Sequence, residues 1–184
     1  TIIILNYFSN DMIIVLYNSL RIITNGVRHI INVMATALSP EITINFAKKK
    51  FAKIHKQFKF LIKYNSYVST FFLILLIFFI KKPFMIWTNY TIEWNFDFFL
   101  FFIIANYIDW IALPILLIPV SINKIELFNF YFIINLIIYF SILIILYPSQ
   151  QIMAIPLALI ACNIHAFSHG FFILNKKILI NNIL

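Results

Sequence analysis

The chain has 184 residues, of which 63% are apolar, 18% aromatic and 11% charged, with a formal net charge of +8. A soluble domain carries about 45–50% apolar and roughly 25% charged residues, so this composition cannot cover a water-soluble globule. Between Glu126 and Lys176 there is no Asp, Glu, Lys or Arg, a run that suits two membrane crossings of about 20 residues each.

In chain order, residues 1–10 are expected to be the tail of an earlier helix. Residues 12–38 are apolar and long enough to cross a membrane, with a polar face formed by Arg21, Asn25, Arg28, His29 and Asn32. Further crossings are expected over 61–80, 97–119, 126–147 and 152–174. The last two are separated by Tyr147-Pro148-Ser149-Gln150-Gln151, a turn with proline. None of these runs alternates with the two-residue period of a barrel strand. Helices are the other way to satisfy every backbone group in lipid. The expected fold is therefore an all-α, polytopic membrane helix bundle with about five to six crossings in one domain.

Charge sets the expected orientation, because Lys and Arg collect on the cytoplasmic side. Lys48, Lys49, Lys50, Lys53, Lys56, Lys59 and Lys63 lie between the first two crossings, whereas Lys81 and Lys82 share the next loop with Glu93. Lys124, Lys176 and Lys177 then fall on the same side as the first group, which puts the C-terminus in the cytoplasm. Trp87, Tyr90, Trp94 and Tyr147 fall at the opposite boundary, where amphipathic aromatics sit. In residues 41–59, Ile42, Ile44, Phe46, Phe51, Ile54 and Phe58 interleave with the lysines behind Pro40. That pattern predicts a basic amphipathic helix on the inner membrane surface, either an anchor to anionic lipid or a contact for an anionic substrate. The net charge thus belongs to a membrane surface and not to a nucleic-acid partner.

Arg21, Asn25, Arg28 and Asn32 are spaced 4, 3 and 4, one stripe of a helix, and Thr36 extends it. Ionisable groups inside a crossing face a partner or a wet cavity. Two guanidinium groups on such a stripe would bind phosphate oxygens; alternatively they pair with acids on neighbouring helices. Asp109 lies mid-crossing, one turn after Asn106 and before Pro114 and Pro119. It is a candidate site for a coupling proton or Na⁺, or an ion-pair partner for Arg21 or Arg28. Cys162, His165 and His169 share a helix face, but a closed metal site needs a fourth ligand, and hydrogen bonding to neighbours is the simpler role. The single cysteine excludes an internal disulfide. No phosphate-binding glycine loop, nucleophile elbow or paired carboxylates occur, so no catalytic residues, cofactor or metal are expected. A membrane enzyme such as a polysaccharide polymerase would need charged or His residues in a large outer loop, and residues 81–96 have neither Asp nor His.

Tyr17-Asn18-Ser19-Leu20-Arg21 opens a helix that Thr36-Ala37-Leu38-Ser39-Pro40-Glu41 closes; a basic segment, a crossing and Phe84-Met85-Ile86-Trp87-Thr88 follow. This order resembles the C-terminal half of the O-antigen and capsule lipid-linked oligosaccharide flippases, members of the multidrug/oligosaccharidyl-lipid/polysaccharide exporter superfamily. The resemblance implies one lobe of a two-lobed exporter in the bacterial inner membrane, working by alternating access. It also implies an N-terminal lobe missing from this chain, and a polyprenyl-pyrophosphate carrying a sugar repeat unit as substrate. The Arg21 and Arg28 stripe would then hold the pyrophosphate. A cation-coupled multidrug or small-molecule antiporter of the same superfamily is the alternative, with Asp109 as its coupling site. No signal peptide precedes the first crossing, and the chain is expected to be a piece of a longer one.

Overall fold

The computed structural model describes residues 11–123 and 129–173. Within them every element is helical and none is a strand: α1 (Asp11–Ala47), α2 (Phe51–Phe79), α3 (Lys81–Trp87), α4 (Phe96–Ser121), α5 (Asn129–Gln150) and α6 (Ala154–Ile173), with a 3₁₀ turn at Gln151–Met153. Four helical stretches are long and apolar enough to cross a membrane: Ile14–Ala47, Phe51–Phe79, Phe96–Ser121 and Phe132–Ser168. The fourth comprises most of α5 and α6 on either side of the 3₁₀ turn. The expectations for residues 1–10, for Lys124 and for the Lys176–Lys177 tail fall outside the described residues.

α4 is the central helix, packing against α1, α2 and α6, while α5 packs on α6. Cross-contacts give the directions. Tyr17 meets Phe102, Arg28 meets Asp109 and Ser39 meets Ser121, so α1 runs parallel to α4. Asn65 meets Trp110 and Thr70 meets Tyr107, so α2 runs antiparallel. Two apolar clusters fill the interior. One joins Leu20, Val27 and Ile31 to Phe98, Phe102, Trp110 and Ala158; the other joins Ala35, Ile42, Ile54, Phe58 and Leu61 to Ile115 and Ile118.

Residues 41–59 do not form a separate surface helix. Residues 41–47 complete α1, and residues 51–59 begin α2. Pro40 lies inside α1, where its missing N–H costs the helix about 3 kcal/mol. Tertiary contacts carry the helix past it. Ile42 is fully buried, the Ser39 and Ser121 hydroxyls lie 2.7 Å apart, and the Thr43 hydroxyl donates to the Ser121 carbonyl at 2.7 Å.

Reversals use side-chain-bearing residues in the left-handed region, since the chain has only two glycines. After α1, Lys49 (φ 54) donates its N–H to the Phe46 carbonyl, and Lys50 donates to Asn45. After α3, Asn89 (φ 51) donates to Ile86 and Tyr90 to Met85 in the same pairing. This is the Schellman arrangement, which satisfies the last helical carbonyls. α4 ends on Asn123 (φ 54), and the α5–α6 turn on Gln151 (φ 47). Pro83 accounts for the break between α2 and α3, because it cannot donate to Phe79. At the start of α4, the Asn95 side chain accepts from the Phe98 N–H at 2.9 Å, an N-cap.

Candidate functional site

The buried stripe of α1 is Leu20, Thr24, Val27, Ile31 and Ala35. At about 100° per residue, the Arg21–Asn25–Arg28–Asn32 stripe lies roughly a quarter turn round from it. The polar stripe therefore occupies the flank of α1 and not the packed seam. Arg21 and Arg28 are exposed, and Asn25 and Asn32 are half-buried.

From that flank Arg28 reaches α4, and its Nε lies 3.2 Å from Asp109 Oδ2. The pair is open to its surroundings, with 44% of the Arg28 side chain and 30% of Asp109 exposed. Asp109 reaches this flank because α1 and α4 run in the same direction and stay in contact from Tyr17 to Thr43. The Nε contact leaves the terminal guanidinium nitrogens of Arg28 as further donors. Arg21, Asn25 and Asn32 make no ion pair or side-chain hydrogen bond to a described residue. Thr36 donates instead to carbonyls of its own helix, Asn32 at 3.1 Å and Val33 at 2.9 Å. Asn106 likewise turns back on α4 and donates to the Phe102 carbonyl at 2.8 Å. The site is thus one tethered guanidinium, one untethered guanidinium and two amides along a single helix face. Such a row of donors suits an anion with several oxygens.

A second polar feature was not singled out from sequence. Pro114 lacks the N–H that would bond the Trp110 carbonyl four residues earlier. The Asn65 amide of α2 supplies the missing donor, at 3.1 Å from that oxygen. The residue numbers carried a signal, since a proline in a lipid-embedded helix frees a carbonyl that a neighbouring helix must satisfy. Nothing in the sequence identified Asn65 as the donor.

Cys162 and His165 do not form a metal cluster. The Cys162 thiol donates to the Asn135 carbonyl at 2.9 Å, and His165 Nδ1 lies 2.7 Å from Asn135 Oδ1. Both therefore tie α6 to α5. The His169 side chain lies outside the described residues, among which no group of three or more His, Cys, Asp or Glu could hold a metal. No family model, no curated protein and no solved structure matches this chain.

Proposed function

We propose that the chain is one lobe of a membrane exporter that flips a polyprenyl-pyrophosphate-linked oligosaccharide across the bacterial inner membrane, for surface polysaccharide assembly. The observation that carries this reading is the α1 flank: Arg21 untethered and Arg28 held through Nε by Asp109, within a helix long and apolar enough to span a bilayer. An ionisable group inside a membrane helix faces a partner or a wet cavity and marks a functional site, so a cationic flank turned away from this lobe's packed core calls for a facing lobe that encloses it. The stripe presents several N–H donors to a diphosphate, and the surrounding apolar surface suits a polyprenyl tail. A facing set of helices would close the cavity, and rocking of the two halves would expose it to each side in turn. In this reading α1, α2, α4, α5 and α6 each cross once, the α1–α2 turn and the C-terminus are cytoplasmic, and no catalytic residue or cofactor is required.

The antiporter alternative assigns Asp109 as a proton or Na⁺ carrier. In the exporter reading the same carboxylate instead holds the Arg28 guanidinium in place, with Asp109 Oδ2 3.2 Å from its Nε.

The test replaces Arg21 and Arg28 by Ala, singly and together, in the native cell. Surface polysaccharide should be lost while the protein stays in the membrane at normal level. Polymer at normal amounts would overturn the proposal. An Asp109→Asn change combined with Arg28→Gln removes both charges of the pair. Protein level should survive that exchange while polysaccharide export does not; full export would make the pair a structural tie only.

A further inference from the structure

Beyond transport, the exposed face of α2 forms one continuous stripe whose character changes along its length. Lys56, Lys59, Lys63, Tyr67, Phe71 and Phe78 follow one another at helical spacing and are all exposed, Tyr67 by 67% and Phe78 by 75%. The opposite face of the same helix carries its buried residues, Ile54, Phe58, Leu61 and Asn65 among them. The stripe therefore points away from the bundle. Its cationic part spans about 10 Å at a rise of 1.5 Å per residue, and its apolar part, from Tyr67 to Phe78, about 16 Å. The two parts join where the Lys63 Nζ lies 5.9 Å from the centre of the Tyr67 ring, within cation–π range.

No described residue pairs with the charge on this stripe. Glu41 is the only acid between residues 41 and 63, and the one ion pair among the described residues is Arg28–Asp109, elsewhere in the fold. A ligand that fits must be anionic at one end and apolar at the other. We propose that this face of α2 binds an anionic glycerophospholipid of the leaflet next to the α1–α2 turn, its phosphate among Lys56, Lys59 and Lys63 and its acyl chains along Tyr67 and Phe71. A soluble polyanion would use the lysines but leave the aromatic run unused. A second protein copy would have to bring these unpaired lysines against its own identical lysines. The inference rests on the membrane placement of α2 and is independent of what the α1 flank transports.

The experiment is native mass spectrometry of the full chain released from mixed micelles holding equal amounts of phosphatidylglycerol and phosphatidylcholine. Bound phosphatidylglycerol should exceed phosphatidylcholine by about tenfold, given the roughly fivefold attraction of a single surface cation to anionic lipid. Replacing Lys56, Lys59 and Lys63 by Gln should abolish the preference, and replacing them by Arg should keep it. Replacing Lys48, Lys49 and Lys50 by Gln removes the same charge from the turn and should leave most of it. Equal binding of the two lipids by the unaltered chain would overturn the proposal, as would equal losses in the two Gln variants. Displacement of the lipid by inorganic pyrophosphate would reassign the lysines to a free phosphate anion. A dimer mass in place of bound lipid would reassign the face to self-association.

Discussion

At the residue scale, the decisive polar groups are those that lipid cannot solvate. Asn65 and Pro114 form a complementary pair on different helices, one supplying the N–H that the other withholds from the Trp110 carbonyl. Asn65→Leu should destabilise the protein by about 1–3 kcal/mol, the cost of leaving a buried acceptor unmade. In a Pro114→Ala background the helix can satisfy that carbonyl itself, so the same change should cost less than half as much. Thermal unfolding in detergent of the four proteins of this cycle checks the coupling, and additive losses would refute it. The position of Pro114 was legible in the sequence, as was the Arg stripe of α1. Asp109 was already a candidate partner for Arg21 or Arg28, but which of the two it meets was not legible, and neither was the amide that meets the Trp110 carbonyl. Asp109 lies 81 residues from Arg28 and Asn65 lies 45 from Trp110, and residue spacing carries no information about which helices become neighbours.

At the element scale, the helices are held by apolar packing and by polar ties between them. The ties include Ser39 with Ser121, Thr70 with Tyr107, Asn163 with the Ala105 carbonyl and Asn135 with His165. In a bilayer such bonds each contribute about 0.6–2 kcal/mol, and close packing supplies the rest. The turns between elements carry a cost of their own. Lys49 adopts φ 54, where a side-chain-bearing residue is disfavoured by roughly 1–2 kcal/mol. Lys49→Gly should therefore raise the midpoint of thermal unfolding, and Asn123→Gly should raise it less, because Asn tolerates the left-handed region better. A lowered midpoint for Lys49→Gly would show that its side chain stabilises the turn. Hydropathy located the ends of α4 to within two residues of the expected 97–119. It missed the extension of α1 from 38 to Ala47, since a local rule stops a helix at Pro40 and only the burial of Ile42 and the ties to Ser121 continue it.

At the scale of the whole molecule, α4 organises the bundle by contacting α1, α2 and α6. α1 and α2 bring the lysines of their turn to one end, while Lys81 and Lys82 lie at the far end of α2. In the five-crossing arrangement these ends lie on opposite sides of the membrane. Single cysteines placed at Lys49, Lys82 and Ser149 in a Cys162→Ser chain test it with a membrane-impermeant thiol reagent. Lys82→Cys and Ser149→Cys should react from one side and Lys49→Cys from the other. Labelling of Ser149→Cys together with Lys49→Cys would mean that α5 does not cross on its own.

The break expected over 147–151 falls at Gln151–Met153, with Pro148 inside α5. The amino-acid sequence alone determined that the described chain is helical, that its helices suit a bilayer and which α1 residues share a polar face. Each follows from composition, period and local backbone chemistry, which act over a few residues. Only the tertiary structure decided that Arg28 has Asp109 beside it while Arg21 does not, that Asn65 completes the helix broken by Pro114, and that residues 41–59 divide between α1 and α2. Those outcomes depend on which helix faces which, and in an apolar medium that choice is made by the few polar groups that must find one another.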